Sequence, residues 1–231
     1  FPGLNTKALL PQLLTTRGSQ ILWTTRQQQV VTVNAGSITR TVAHDGSANS
    51  WGWGDSGMPG LVFHPTNPLR AFGFYCDVER ITTNGVVITN FWDTLAEYSV
   101  DPANTNHLTR SRVLIRQLDR ADTHLGGAMV FGNDNYLYVT LADEGGQGDP
   151  YHNSQRIDGN FFGAVMRLDV DGRPGNTPPN PHPSIVGQYW VPNDNPYIGL
   201  TTFNGSPVDP LKVRTEFFMV GLRNPNTMHI D

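Results

Sequence analysis

His124 stands in Thr123-His124-Leu125-Gly126-Gly127, just ahead of an apolar run, and Asp143 follows it 19 residues later. An imidazole beside a carboxylate is the pairing of a general base, because the carboxylate holds the ring tautomer and raises its basicity. The same pair could instead be a buried hydrogen bond that pins a loop. If Gly127–Phe131 and Tyr136–Leu141 pair antiparallel about Gly132-Asn133-Asp134-Asn135, partners sum to about 267, as Phe131 with Tyr136 and His124 with Asp143 both do. The two side chains then meet at the open end of one hairpin. A second cluster, Gly221-Leu222-Arg223-Asn224-Pro225, follows the apolar run Glu216–Val220. Arg offers a planar fork of donors, Asn a donor and an acceptor, and the proline holds Asn224 extended. A planar anionic ligand suits this set, and so does a turn with a surface arginine.

Other motifs fail on spacing. Gly54-Asp55-Ser56-Gly57 copies the nucleophile turn of trypsin-like proteases, with a histidine in Thr41-Val42-Ala43-His44. That chemistry needs serine and histidine far apart in the chain with an aspartate between, whereas only 12 residues separate His44 from Ser56. Asp169-Val170-Asp171-Gly172 suggests a calcium loop, but the twelfth position is Asn180 where an EF-hand needs a carboxylate. No His or Cys cluster has zinc spacing, and no glycine loop of phosphate-binding type precedes a helix.

The elements that must position these residues read as strands. Short apolar or alternating runs recur at Gln20–Thr25, Gln29–Val33, Ser37–Ala43, Gly60–Phe63, Ala71–Asp77, Gly85–Thr89, Ala96–Val100, Arg112–Gln117, Gly127–Phe131, Tyr136–Leu141, Gly163–Val170 and Glu216–Val220. Turn residues punctuate them: Asn34-Ala35-Gly36, Asp171-Gly172, and Asn84-Gly85, which predicts a tight hairpin. The 231 residues hold 24 glycines and 17 prolines, well above common usage, and only 16% charged side chains. The chain is all-β, and many short antiparallel strands must hide their edges in a sandwich, barrel or propeller. Two polar stretches, 145–160 and the proline-rich 173–195, are longer than ordinary connections. Ile185, Tyr189, Trp190 and Tyr197 argue that the second packs rather than links.

A formal charge of −4 and the lack of a Lys/Arg run argue against nucleic acid and anionic lipid as partners. No apolar stretch reaches the length of a membrane span. Phe1-Pro2-Gly3-Leu4 lacks the regions of a signal peptide, so the chain reads as processed or trimmed. The single cysteine, Cys76, reads as a small buried hydrophobe.

In order and spacing, six motifs resemble one family: His124-Leu125-Gly126-Gly127; Tyr136–Thr140 with Asp143; Gln155; Gly163–Gly172; Asp194-Asn195-Pro196-Tyr197; and Gly221–Pro225. Upstream, Gly57–Pro65 fits the same family. It is that of the soluble quinoprotein sugar dehydrogenases, or glucose/sorbosone dehydrogenases. The long proline-rich loop resembles that of the large multidomain bacterial versions.

The resemblance implies a six-bladed β-propeller that binds pyrroloquinoline quinone (PQQ) and calcium on its axial face and oxidises the anomeric carbon of aldoses to lactones. His124 would be the base, Asp143 its support, and Arg223 with Asn224 would hold the cofactor. Gln147 is a sugar contact by its place after Asp143. Asp55 stands where the family has Gln or Glu, as a shorter acceptor for the sugar. The resemblance further implies an electron acceptor such as a cytochrome, and an extracellular or periplasmic location. At about 40–50 residues per blade, residues 1–231 would form one partial domain of four to five N-terminal blades, needing a C-terminal remainder. The family's calcium turn belongs to later blades, so no metal ligand is assigned. The rival is a catalytically silent extracellular propeller that binds carbohydrate or a protein partner.

Overall fold

The computed structural model describes residues 11–34, 36, 40–52 and 54–231. The N-terminal Phe1-Pro2-Gly3-Leu4, Ala35 of the first turn and the start of the Ser37–Ala43 strand lie outside the described residues. Strands β1 (Pro11–Arg17), β2 (Gln20–Thr25), β3 (Gln29–Asn34) and β4 (Arg40–Asp45) form one antiparallel sheet in sequence order. A second sheet follows the same meander: β5 (Gly60–Phe63), β6 (Arg70–Thr83), β7 (Val86–Val100) and β8 (Leu108–Asp119). The third joins β9 (Gly126–Phe131), β10 (Leu137–Leu141) and β11 (Ala164–Leu168) to β14 (Phe217–Val220), and β12 (Thr202–Phe203) and β13 (Ser206–Pro207) form a small ribbon before β14.

Each four-stranded meander is blade-like, and the first strands of successive sheets lie against one another. A Cβ on Gly60 of β5 would stand 2.1 Å from the Gly127 carbonyl oxygen of β9, so two backbones meet where only glycine fits. The Gln12 carboxamide of β1 accepts the Met58 N–H at 2.7 Å and donates to the Ser56 carbonyl at 3.0 Å, tying the first sheet to the lead-in of the second. Buried clusters fill the two gaps. Leu22, Met58 and Tyr98 pack between the first and second sheets, and Phe72, Phe74, Leu137 and Phe161 between the second and third.

Three four-stranded sheets use the residues that the length per blade assigned to four or five. The difference lies between β11 and β14, where a long excursion carries only the two-residue strands β12 and β13. It packs as it runs. Ile185 bridges to Ile115 of β8, Trp190 bridges to Asp169, and the buried Tyr189 hydroxyl donates to Glu216 Oε1 at 2.7 Å.

Asn84 and Gly85 both take positive φ, +52° and +77°, the backbone of the two-residue hairpin turn predicted for them. The strands they join are longer than predicted. β7 runs unbroken through Asn90–Leu95, where Asn90, Asp93 and Thr94 interrupt the apolar pattern without interrupting the ladder. β1 was not among the predicted strands; adjacent leucines and a register shift between Pro11 and Leu13 blur its alternation.

Candidate active site

The β9–β10 hairpin sets the site. Near its turn the partners are Phe131 with Leu137 and Val130 with Tyr138, one residue out of the predicted register. A bulge between Val139 and Leu141 takes up the difference, so that Gly126 pairs with Leu141. Thr140 holds this irregular stretch: its hydroxyl accepts the Ala128 N–H at 2.9 Å and donates to the Pro225 carbonyl at 2.7 Å.

Beyond the bulge the chains of His124 and Asp143 come together. His124 Nδ1 lies 2.8 Å from Asp143 Oδ1, with the two side chains 15% and 1% exposed. Asp143 Oδ1 also accepts the Gly145 N–H, and its Oδ2 is buried without a partner among the described residues. A carboxylate there fixes the proton on Nδ1 and leaves the Nε2 lone pair for a ligand.

His124 is held in the left-handed region, φ +61°, which a residue of this size adopts only when its surroundings fix it. Asp55 is one of those fixings. Its Oδ2 accepts the His124 backbone N–H at 2.9 Å and the Asn224 Nδ2 at 3.3 Å, while its own N–H donates to the Asp122 carbonyl. The predicted Asp55 therefore joins the site as a tie between the two motifs.

Arg223 and Asn224 reach the same place through the backbone. The Arg223 carbonyl accepts the Asp143 N–H at 2.9 Å, and the Gly221 and Leu222 N–H groups both donate to the Gly163 carbonyl. The Arg223 side chain is exposed, with one long bond of 3.4 Å from Nη2 to the Gly146 carbonyl. Asn224 Oδ1 is buried without a partner among the described residues. Gln147 is exposed on the loop after Asp143, and the structure gives it no bond to the other site residues.

Three contributors had no signal in the sequence. Trp51 donates its indole N–H to Asp122 Oδ2 at 2.9 Å and braces the loop before His124. The Arg120–Glu144 ion pair, 2.7 Å, fastens that loop to the one after Asp143. Asn153 completes it, donating to Glu144 Oε2 and to the Asp143 carbonyl. Only the placing of these residues in three dimensions reveals them, because each stands in a loop with no periodicity to single it out.

Comparison with known proteins bears on the family and the fold. The family description "Glucose / Sorbosone dehydrogenase" matches residues 11–190. Human Hedgehog-interacting protein is 31% identical over 189 residues, 78% of this chain and 23% of that protein. The HIPL1 protein of Arabidopsis thaliana is 28% identical over 158 residues, 65% of this chain and 21% of that protein. The chain thus spans about a fifth of the length of these curated relatives. Among solved structures, the PQQ-bound form of the aldose sugar dehydrogenase from Streptomyces coelicolor superposes with a TM-score of 0.55 at 20% identity, covering 80% of this chain and 53% of that one. That likeness establishes the propeller fold. Matched over well more than half of its length and built on that fold, the chain belongs to the glucose/sorbosone dehydrogenase family.

Proposed function

We propose that this chain contributes the base and part of the cofactor cradle of a PQQ-dependent aldose dehydrogenase, an oxidoreductase that converts the anomeric hydroxyl to a lactone carbonyl. The observation that carries the reading is the His124–Asp143 contact through Nδ1, with the Asp55, Arg223 and Asn224 groups around it. The residues suit the cofactor. Arg223 keeps donors for a carboxylate, and the orphaned Asn224 Oδ1 and Asp143 Oδ2 are buried acceptors that call for a donor such as a sugar hydroxyl. When bound, the quinone supplies the hydride acceptor.

This chain's own part is proton management. His124 Nε2 takes the proton of the anomeric hydroxyl, and Asp143 stabilises the imidazolium that results. Such a base contributes about 10²–10⁴-fold, or roughly 3–5 kcal/mol of barrier. Asp55 holds His124 and Asn224 in one frame, with its remaining carboxylate oxygen turned to sugar recognition, and Gln147 adds a sugar contact from the outer loop. Among the described residues no group of three or more His, Cys, Asp or Glu side chains could hold a metal ion, and no metal ligand is assigned to this chain. An extracellular or periplasmic location, a cytochrome-type electron acceptor and a remainder of the ring beyond the partial domain 1–231 belong to the same reading. No helix among the described residues is long and apolar enough to cross a membrane.

The second reading, a catalytically silent propeller that binds carbohydrate or a protein partner, draws on the relatives named for Hedgehog interaction. Reconstitution with PQQ and calcium separates the two. Reduction of an artificial electron acceptor in the presence of an aldose supports the enzyme; silence across a broad aldose panel supports the rival.

A further inference from the structure

The strands of the second sheet outrun those of the first. β6 and β7 have 14 and 15 residues, while β2, β3 and β4 have 6 each. Where β4 of the first sheet faces β6 and the start of β8 in the second, a cavity of about 560 Å³ opens. That volume is in the range of small-molecule sites. It lies apart from the His124 site, and its lining includes His44, Asp45, Tyr75, Asp77, His107 and Arg110.

Asp77 is the least engaged carboxylate in this cavity, paired only at long range with Arg110. Its side chain is only 14% exposed, its carboxylate accepts no hydrogen bond among the described residues, and its nearest cation is Arg110 at 3.9 Å. Arg110 is committed elsewhere: it donates to the Tyr75 hydroxyl at 2.7 Å and is itself 45% exposed. Burial pushes the Asp77 carboxyl up, and Arg110 and Arg116 offset part of that shift. Nor does His44 supply a positive charge. His44 is turned edge-on to Tyr98, and burial lowers its pKa, so it is neutral at pH 7. Asp45, at the cavity's rim, adds a second carboxylate.

We infer that the cavity between the first and second sheets binds a small organic cation, a protonated amine whose N–H donors meet the Asp77 carboxylate, with Tyr75 and His44 as its aromatic walls. A hydrogen bond between charged partners is worth about 1.5–3 kcal/mol net, and about 1.4 kcal/mol is tenfold in affinity. The charged contact therefore predicts a preference of about 10- to 100-fold for an amine over the alcohol of the same size.

Ethanolamine and ethylene glycol form that pair of probes, and neither is an aldose. Saturation-transfer NMR titrations of the chain at pH 7.5 should show ethanolamine bound at least about tenfold more tightly. Asp77→Asn, nearly isosteric, should remove that preference, and Asp149→Asn on the far loop should not. Arg110→Gln gives the sign independently: it removes a competing positive charge, so ethanolamine should bind a few-fold tighter. Equal binding of the two probes, no binding of either, undiminished binding in folded Asp77→Asn, or weaker binding in Arg110→Gln would each overturn the assignment.

Discussion

Asp55 Oδ2 accepts the backbone N–H of His124 at 2.9 Å, joining the lead-in of the second sheet to the lead-in of the third. The same oxygen takes the Asn224 amide, so one carboxylate spans the base and the cofactor motif. Without it, nothing at that N–H opposes the return of His124 from φ +61° to a relaxed backbone. Asp55→Ala should therefore lower kcat by about tenfold or more, since strained conformations of this kind cost on the order of 1–3 kcal/mol. Asp55→Asn keeps an acceptor and should restore most of kcat while raising KM, if the second carboxylate oxygen also serves the sugar. Steady-state kinetics of the pair measure this; an unchanged kcat in Asp55→Ala would exclude the positioning role.

Asp143→Asn tests the tautomer. An amide that donates to Nδ1 moves the ring proton to Nε2, the atom that must be bare to act as a base. We expect a fall in kcat on the order of 10²–10⁴, close to that of losing the imidazole. A fall of less than about threefold would leave Asp143 as a loop pin and no more.

Buried carboxyls set the alkaline side of stability. Burial holds Asp93 well above the usual carboxylate range, with the Asp119 charge adding to it, and burial raises Asp119 to about 7. The folded state thus keeps protons that the unfolded chain releases near pH 4, so stability falls as pH rises from about 4 through 7. Asp93→Asn keeps a hydrogen-bond donor to Asp119 without the charge. Its melting temperature should exceed that of the parent at pH 8 and approach it at pH 5, and a variant less stable at pH 8 would refute the assignment.

His182 works in the other direction. Burial, with Arg214 nearby, lowers its pKa from 6.5 to about 4. Between those values the unfolded chain binds the extra proton, so stability rises with pH through this window and is lost below it. Thermal melts of His182→Gln should show a shallower acid limb between pH 4 and 6.5. An unchanged limb would place the acid sensitivity elsewhere.

At Gly60 a Cβ would have to stand 2.1 Å from the Gly127 carbonyl oxygen and under 3 Å from Met129. Gly60→Ala should cost about 1–3 kcal/mol by forcing β5 away from β9, and it should lower activity because β9 follows directly on the His124 loop. Denaturant titration gives the first number; no loss of stability would mean the two inner strands are free to separate.

How far the sequence carried the reading differs from element to element. Alternation and turn chemistry placed most strands, and Asn84-Gly85 specified its hairpin because only residues tolerant of positive φ fit there. The reach of β7 was hidden because inward-facing Asp93 looks like a strand breaker, although its burial rests on a proton and on a neighbouring carboxyl. The meeting of His124 with Asp143 followed from hairpin arithmetic, yet the counted register failed near the turn and the bulge before Leu141 restored it. Ties such as Asp55 to His124, or Trp51 to Asp122, join residues far apart in the chain and have no periodicity by which to be found. The cavity at Asp77 forms between residues of two sheets far apart in the chain, which no motif records.

The central claim rests on His124 as the base, and one comparison tests it most directly: kcat and PQQ affinity of His124→Gln against the parent, both reconstituted with PQQ and calcium and given an aldose that the parent oxidises. The account predicts a kcat lower by about 10²–10⁴-fold with cofactor affinity changed by less than about threefold, because glutamine fills the place without taking the proton. A variant that turns over at the parental rate would contradict it.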